Sequence, residues 1–161
     1  MNQFLPLVDK AKIVTGVAPV ALTADGDFVS MKGFQKLTVI ISVDNGNTVT
    51  GGAITLDQAQ DVSATGAKAL AFTNVYANTD VAASDTLTAT TVTSNTFTTN
   101  TTNAKNLLYV IEIDATDLDM DNNFDCVRVG CASMANAVGC VLYILHGPRY
   151  ADALARTAIT D

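Results

Sequence analysis

The acidic residues after position 112 are the part of this 161-residue sequence that comes closest to a chemical site. Asp117, Asp119 and Asp121 stand at alternate positions, as oxygen ligands do in the first half of a calcium-binding loop. The second half of that pattern is missing, because Asn122 stands where glycine is needed and Arg128 where a bidentate glutamate belongs. We therefore expect a turn with solvated carboxylates and no metal, with a weak calcium site as the alternative.

Groups for acid, base or nucleophilic catalysis are sparse. The chain has one glutamate, Glu112, and one histidine, His146. A glycosidase that uses paired carboxylates needs two carboxyl groups that face each other across the bound sugar. Glu112 and Asp114 share one face of a single predicted strand and do not indicate such an arrangement. No serine or cysteine occupies a nucleophile-elbow pattern. The sequence therefore predicts no catalytic residue, no cofactor and no enzymatic activity.

Three cysteines, Cys126, Cys131 and Cys140, lie in or beside apolar stretches. Their number is odd, and their spacings do not match the two-residue spacing of zinc or redox motifs. A free cysteine behaves as a small hydrophobic residue. We expect buried free thiols, with a structural disulfide or a metal site as the alternatives.

Charge and apolar content narrow the class of partner. The net charge is −7, and the nine lysines and arginines form no basic run, which argues against nucleic acid. Charged residues make up 16% of the chain and apolar residues 48%, so few charges are available to cover the outside. This imbalance predicts a homo-oligomer or docking on a larger assembly.

The sequence suggests neither secretion nor a membrane partner. The first eight residues contain no positive region and no long apolar stretch, so we expect synthesis in the cytoplasm without secretion. No apolar run approaches the roughly 18 residues of a membrane-spanning helix.

The elements that would position these residues are predicted to be strands. Ten of the seventeen positions from Thr86 to Thr102 are threonine, and β-branched residues favour a pleated sheet. Lys36–Val43 alternates clearly, and the turn residues after it predict a hairpin that returns through Val49–Gln58. Leu107–Asp114 and Val138–His146 are apolar on both faces, as central strands are.

About eight short strands separated by turns predict an all-β, antiparallel β-sandwich of jelly-roll type. The domain runs from 13 to 146. We expect an N-terminal arm over 1–12 and a C-terminal arm or short helix over 147–161.

Several segments resemble the small virion structural proteins of tailed bacteriophages, in particular those that decorate or cement the head. These segments are Gly33–Leu37, Gly52–Ala59 with Asp61 and Val62, Gly66–Leu70, Asp117–Asp119, Phe124–Val129 and Tyr143–Leu145. The resemblance implies a non-enzymatic β-sandwich that binds as an oligomer, often a trimer, to the major capsid protein. Its place would be the outer surface of the capsid, where it ties capsomers together after synthesis in the host cytoplasm.

The terminal segments supply the candidate interface residues, which are Phe4, Leu5, Leu7, Arg149 and Tyr150. Two alternatives remain at this point. The same sandwich could serve as an adaptor in the tail, neck or head-fibre base of the virion. A carbohydrate-binding module is the other alternative, although such modules expose rows of Trp or Tyr and this chain has no Trp.

Overall fold

The computed structural model describes residues 6–48, 51–132, 134, 136–150 and 152–159. This part of the chain contains eleven β-strands and three short 3-10 helices, with no α-helix. The strands are β1 (Ala11–Ala21), β2 (Val29–Ser30), β3 (Lys36–Asn45), β4 (Ala53–Ala59), β5 (Lys68–Ala69), β6 (Asn74–Asn78), β7 (Thr88–Thr91), β8 (Thr96–Thr98), β9 (Asn106–Asp114), β10 (Cys126–Cys131) and β11 (Ala137–His146). The 3-10 helices are Leu7–Asp9, Ala115–Asp117 and Met120–Asn122.

The strands form two antiparallel sheets. The six-stranded sheet has the order β1-β11-β3-β9-β6-β7. The second sheet has the order β2-β10-β4-β5, and β8 also pairs with β4. The predicted all-β sandwich is therefore confirmed, and the strand predicted over Leu107–Asp114 is central, between β3 and β6.

The pairing is nested as in a jelly roll. β1 pairs with β11, β2 with β10, β3 with β9, and β4 with β8. The strands β5, β6 and β7 form an insertion between β4 and β8. The count exceeds the eight or so expected in part because β5 and β8 have only two and three residues, too few to show an alternating pattern, whereas the short strand expected over 28–30 is present as β2.

The predicted hairpin between β3 and the following strand is wrong. β3 pairs with β9 and β11, whereas β4 lies in the other sheet and pairs with β10. Both strands turn alternate apolar residues towards the same core from opposite sides. Burial alternates identically whether two strands pair side by side or face each other across a sandwich, so the sequence pattern does not distinguish these arrangements.

The core lies between the sheets and is filled by the inward residues of each strand. On β3 these are Leu37, Val39, Ile41 and Val43, all at most 1% exposed. The consecutive glycines at 51 and 52 indicate a bulge or a close backbone approach, and Gly52 is tightly packed, because a Cβ there would lie 2.1 Å from Met134 Cγ and 3.3 Å from the Ala132 carbonyl oxygen.

The described C-terminal residues pack against the sandwich, whereas residues 6–10 before β1 are exposed. β1 begins at Ala11, inside the segment predicted as an arm. The C-terminal segment contains no helix in its described residues, and its Ala153 and Ala158 are buried. Lys12 Nζ donates to the Leu154 carbonyl at 3.2 Å. No helix in the described part of the chain has the length and apolar character needed to cross a membrane.

Candidate functional site

The outside of the six-stranded sheet carries many apolar side chains. Inward and outward residues alternate along β3, β9 and β11, and the outward ones remain half-buried or exposed. Ile13 is 47% exposed, Tyr76 38% and Val138 49%. We call this surface the outer face; its apolar residues are Ile13, Ile40, Tyr76, Leu108, Val110, Val138, Cys140, Leu142 and Ile144.

Strand register aligns part of the outer face into one row. Leu142 pairs with Ile40, Ile40 with Val110, and Val110 with Tyr76. The row therefore crosses four neighbouring strands perpendicular to their direction. Directly paired residues have Cβ atoms about 4.5–5.5 Å apart, so these side chains form a contiguous apolar band on a rigid sheet.

A polar group borders this band. Thr38 donates a hydrogen bond to Glu112 Oε1 at 2.9 Å, and its hydroxyl oxygen lies 3.0 Å from His146 Nε2. Lys36 Nζ lies 3.1 Å from the other oxygen of Glu112, and this carboxylate raises the pKa of Lys36. Because the Thr38 proton is directed to Glu112, Nε2 of His146 must donate to Thr38. A histidine acting as a general base would instead accept the hydroxyl proton.

The three cysteines are free, but the expectation that all of them are buried is wrong for Cys140. Cys126 and Cys131 are buried, and burial raises the pKa of both thiols, to about 11 for Cys131. Cys140 is only half-buried and belongs to the outer face. Cys140 is therefore the thiol that a modifying reagent can reach.

A cavity of about 500 Å³ lies where the C-terminal segment meets residues 31–34 and the 3-10 helices after β9. Its apolar wall includes the buried side chains of Met31, Phe34 and Leu118. The exposed Met120 and Tyr150 also line it. A concave site of this size, with an apolar wall and a few polar groups, is typical of ligand and side-chain binding pockets.

The charges around this cavity are unusual for such an acidic chain. Lys32, Arg149 and Arg156 line it together with Asp125 and Asp152. Arg156 is paired with Asp152 at 2.7 Å. None of the ion pairs among the described residues includes Lys32 or Arg149. The cavity therefore offers two exposed cations to an anionic group.

Two of the three alternating aspartates after β9 contact protein groups. Asp117 accepts a hydrogen bond from the Asp114 backbone N–H at 2.9 Å. Asp119 pairs with Lys68 and accepts from the Asn122 amide at 2.9 Å. Asp121 is exposed. Among the described residues, no group of three or more His, Cys, Asp or Glu is arranged to hold a metal ion.

The Asp119 contacts predict a pH-dependent contribution to stability. Lys68 and Asn122 hold the pKa of Asp119 below its ordinary value of 3.8. A lowered folded-state pKa stabilises the fold above the unfolded-state pKa, and this contribution is lost as the pH falls through the folded-state value. We expect Asp119→Asn to lower the melting temperature at pH 7, with the difference from wild type shrinking below about pH 3.8.

Asp121→Asn is the matched control, because no ion pair among the described residues includes Asp121. Its melting temperature should track wild type at every pH. A constant Asp119→Asn deficit down to pH 2 would contradict the role of the carboxylate charge.

Comparison with known proteins gives one structural neighbour. No family model matches the sequence, and no curated protein does. The crystal structure of SPBc2 prophage-derived protein YomS is similar to this chain, with a TM-score of 0.46 and 16% sequence identity. The similarity covers 84% of this chain and 92% of that chain.

The predicted interface residues fall in different places. Leu7 is exposed on the first 3-10 helix, and Arg149 and Tyr150 line the cavity. Phe4 and Leu5 lie outside the described residues. Lys32 was not predicted from the sequence, because it reaches the cavity from a distant part of the chain. Glu112 and His146 were predicted as separate residues, whereas strand pairing brings both to Thr38.

Proposed function

We propose that this chain is a non-enzymatic structural protein of a phage virion that decorates the outer capsid surface and cements neighbouring capsomers. The outer face is the observation that carries this proposal. It is a contiguous apolar band on a rigid sheet, in a chain with few charges, and an exposed apolar surface of this kind marks an interaction site. The resemblance to head decoration proteins supplies the partner, the major capsid protein.

The binding mode follows from the fold. A sandwich with antiparallel, fully paired central strands changes shape little on binding, so each contact costs little ordering entropy. Repeated copies on a symmetric shell, joined as homo-oligomers, would multiply weak contacts into tight attachment. A trimer is the oligomer that the resemblance implies. Under this proposal Thr38, Glu112 and His146 orient the edge of the contact surface and perform no chemistry.

The decisive experiment measures binding to capsids. Heads assembled from the cognate major capsid protein, without this chain, are incubated with purified wild type, Ile40→Asp or Leu142→Asp. We expect wild type to bind in several hundred copies per head and to raise the melting temperature of the head. A buried unpaired carboxylate in an apolar contact is costly, so both variants should bind at least tenfold more weakly.

Ile159→Asp is the control. Ile159 is 40% exposed and follows Ala158, whose carbonyl accepts from Ser30 on the other sheet at 2.7 Å. The Ile159→Asp variant should bind to heads like wild type. Circular dichroism confirms that each variant is folded. Wild type that fails to bind heads, or Ile40→Asp that binds like wild type, would refute the proposal.

Cys140 provides a second measurement on the same surface. In the free protein a maleimide should modify Cys140, and Cys140→Ser should remove the reaction because the other two thiols are buried. On the head, the modification rate should fall at least tenfold. An unchanged rate in fully decorated heads would mean that the outer face points away from the shell.

A further inference from the structure

We propose that the Leu7–Asp9 turn of one copy inserts into the cavity beside Arg149 of the next copy, joining chains head to tail into a ring. This inference names the surfaces that hold together the homo-oligomer of the proposed function, and it rests on that part of the proposal. Ring formation is measurable on the isolated protein, so its failure is distinguishable from a failure of capsid binding.

The cavity selects for an apolar group next to an anion. Its wall is apolar through Met31, Phe34 and Leu118. Lys32 and Arg149 line the same space without an ion-pair partner among the described residues. Arginine binds carboxylates through a rigid planar fork, and an added carboxylate would complete an ion pair that the isolated chain leaves open.

The carboxylates in the cavity do not supply this partner. Asp152 is held by Arg156 through two hydrogen bonds of 2.7 and 3.0 Å. Asp125 accepts a hydrogen bond from the Cys126 thiol at 3.1 Å. The lining therefore contains three cations and two carboxylates in a chain of net charge −7.

The same chain exposes a segment with the complementary chemistry. Leu7 is 52% exposed and Val8 66%, and the exposed Asp9 follows them directly. The turn is preorganised, because the Asp9 N–H donates to the Pro6 carbonyl at 3.0 Å and the Lys10 N–H to the Leu7 carbonyl at 2.9 Å. None of these residues lines the cavity of its own chain. The apolar and acidic turn complements the apolar and cationic cavity, so we infer that the turn of a second copy occupies it.

Both surfaces lie at the same end of the sandwich. The turn leads into β1, whose first residue, Ala11, pairs with His146 at the end of β11. The cavity begins just beyond His146, where the Arg149 N–H donates to the Gly33 carbonyl at 2.7 Å. Two different surfaces joined head to tail close a ring when copies are related by rotation. Because the turn and the cavity lie at the same level along the sandwich, joining them requires little shift of one copy along the rotation axis, so the copies close into a ring.

The test combines two disabling variants measured by light scattering after size-exclusion chromatography. The turn variant is Val8→Ser with Asp9→Ala, and the cavity variant is Lys32→Glu with Arg149→Glu. Wild type should run as a trimer of 16.8 kDa chains. Each variant alone should be monomeric at a concentration where wild type is fully assembled, which requires at least a tenfold weaker association.

Mixing the two variants tests whether the Leu7–Asp9 turn of one copy binds the cavity of another, and the wild-type mass distinguishes a ring of three from a symmetric pair. The cavity variant keeps an intact turn and the turn variant keeps an intact cavity, so one contact survives in the mixture. We expect a species of two chains that grows no further. Val81→Ser with Asp85→Ala, an exposed apolar residue and an acid elsewhere on the surface, is the matched control and should assemble like wild type.

Three results would overturn the inference. They are a monomeric wild type, a turn or cavity variant that keeps the wild-type mass, and a mixture that stays monomeric although both variants are folded by circular dichroism. If Ile40→Asp alone abolished assembly while the turn variant did not, copies would be joined through the outer face instead.

Discussion

Ile41→Ala should lower the free energy of unfolding by about 2–5 kcal/mol, the usual cost of truncating a fully buried isoleucine. Ile41 is completely buried on β3. It lies in register between Tyr109 of β9 and Val141 of β11, both of which also face the core. Those neighbours are held by their own strand pairing and cannot collapse into the space, so a cavity remains.

Ile40→Ala is the matched control, because it removes the same atoms one residue earlier on the same strand. Ile40 faces outwards and is half-buried, so its truncation should cost less than about 1 kcal/mol. Chemical denaturation of both variants, with unchanged m-values, gives the comparison. Equal losses would mean that β3 does not present these two residues to opposite faces.

Tyr143→Phe should cost about 1–3 kcal/mol, because it leaves a buried backbone donor without an acceptor. Tyr143 is fully buried, and its burial raises the pKa of the phenol. Its hydroxyl accepts from the Val129 N–H at 2.9 Å and donates to the Asp27 carbonyl at 3.2 Å. The side chain thus links β11 of one sheet to β10 of the other, and the ring lies against Gly16, where a Cβ would be 2.3 Å away.

Tyr109→Phe is the control for that prediction. The Tyr109 hydroxyl accepts from the Asn100 N–H at 2.8 Å, at a partly buried position that water can reach once the hydroxyl is removed. Tyr109→Phe should therefore lower the free energy of unfolding by clearly less than Tyr143→Phe does. In a domain of this size, 1 kcal/mol shifts the melting temperature by about 2–4 °C, so thermal scans separate the two variants. Equal shifts would show that the Val129 N–H finds another partner.

The long strands could be predicted from the sequence because buried and exposed residues alternate along a strand with a period of two. Leu37, Val39, Ile41 and Val43 follow this period, and the structure buries all of them. Leu107–Asp114 showed apolar residues on both faces, and β9 is indeed central. The sequence also allows one short helical turn over 115–123 with Leu118 pointing inwards, and the structure has two 3-10 helices there and a buried Leu118.

The sequence did not predict which strands pair with each other. The hairpin predicted after Lys36–Val43 failed because alternation reports which face is buried and not which strand lies alongside. The candidate site shows the same limit. Lys32 and Arg149 are more than one hundred residues apart, and no local pattern indicates that both line one cavity.

The sequence by itself determined that this protein is a β-sandwich with few reactive groups and more apolar residues than its charges can cover. Those properties are local or compositional, since they depend on residue type and on the spacing of near neighbours. Only the tertiary structure decided that Leu142, Ile40, Val110 and Tyr76 form one row, and that two cations meet at one cavity. Such groupings arise from pairing between distant strands, whose register is set by packing of the whole core.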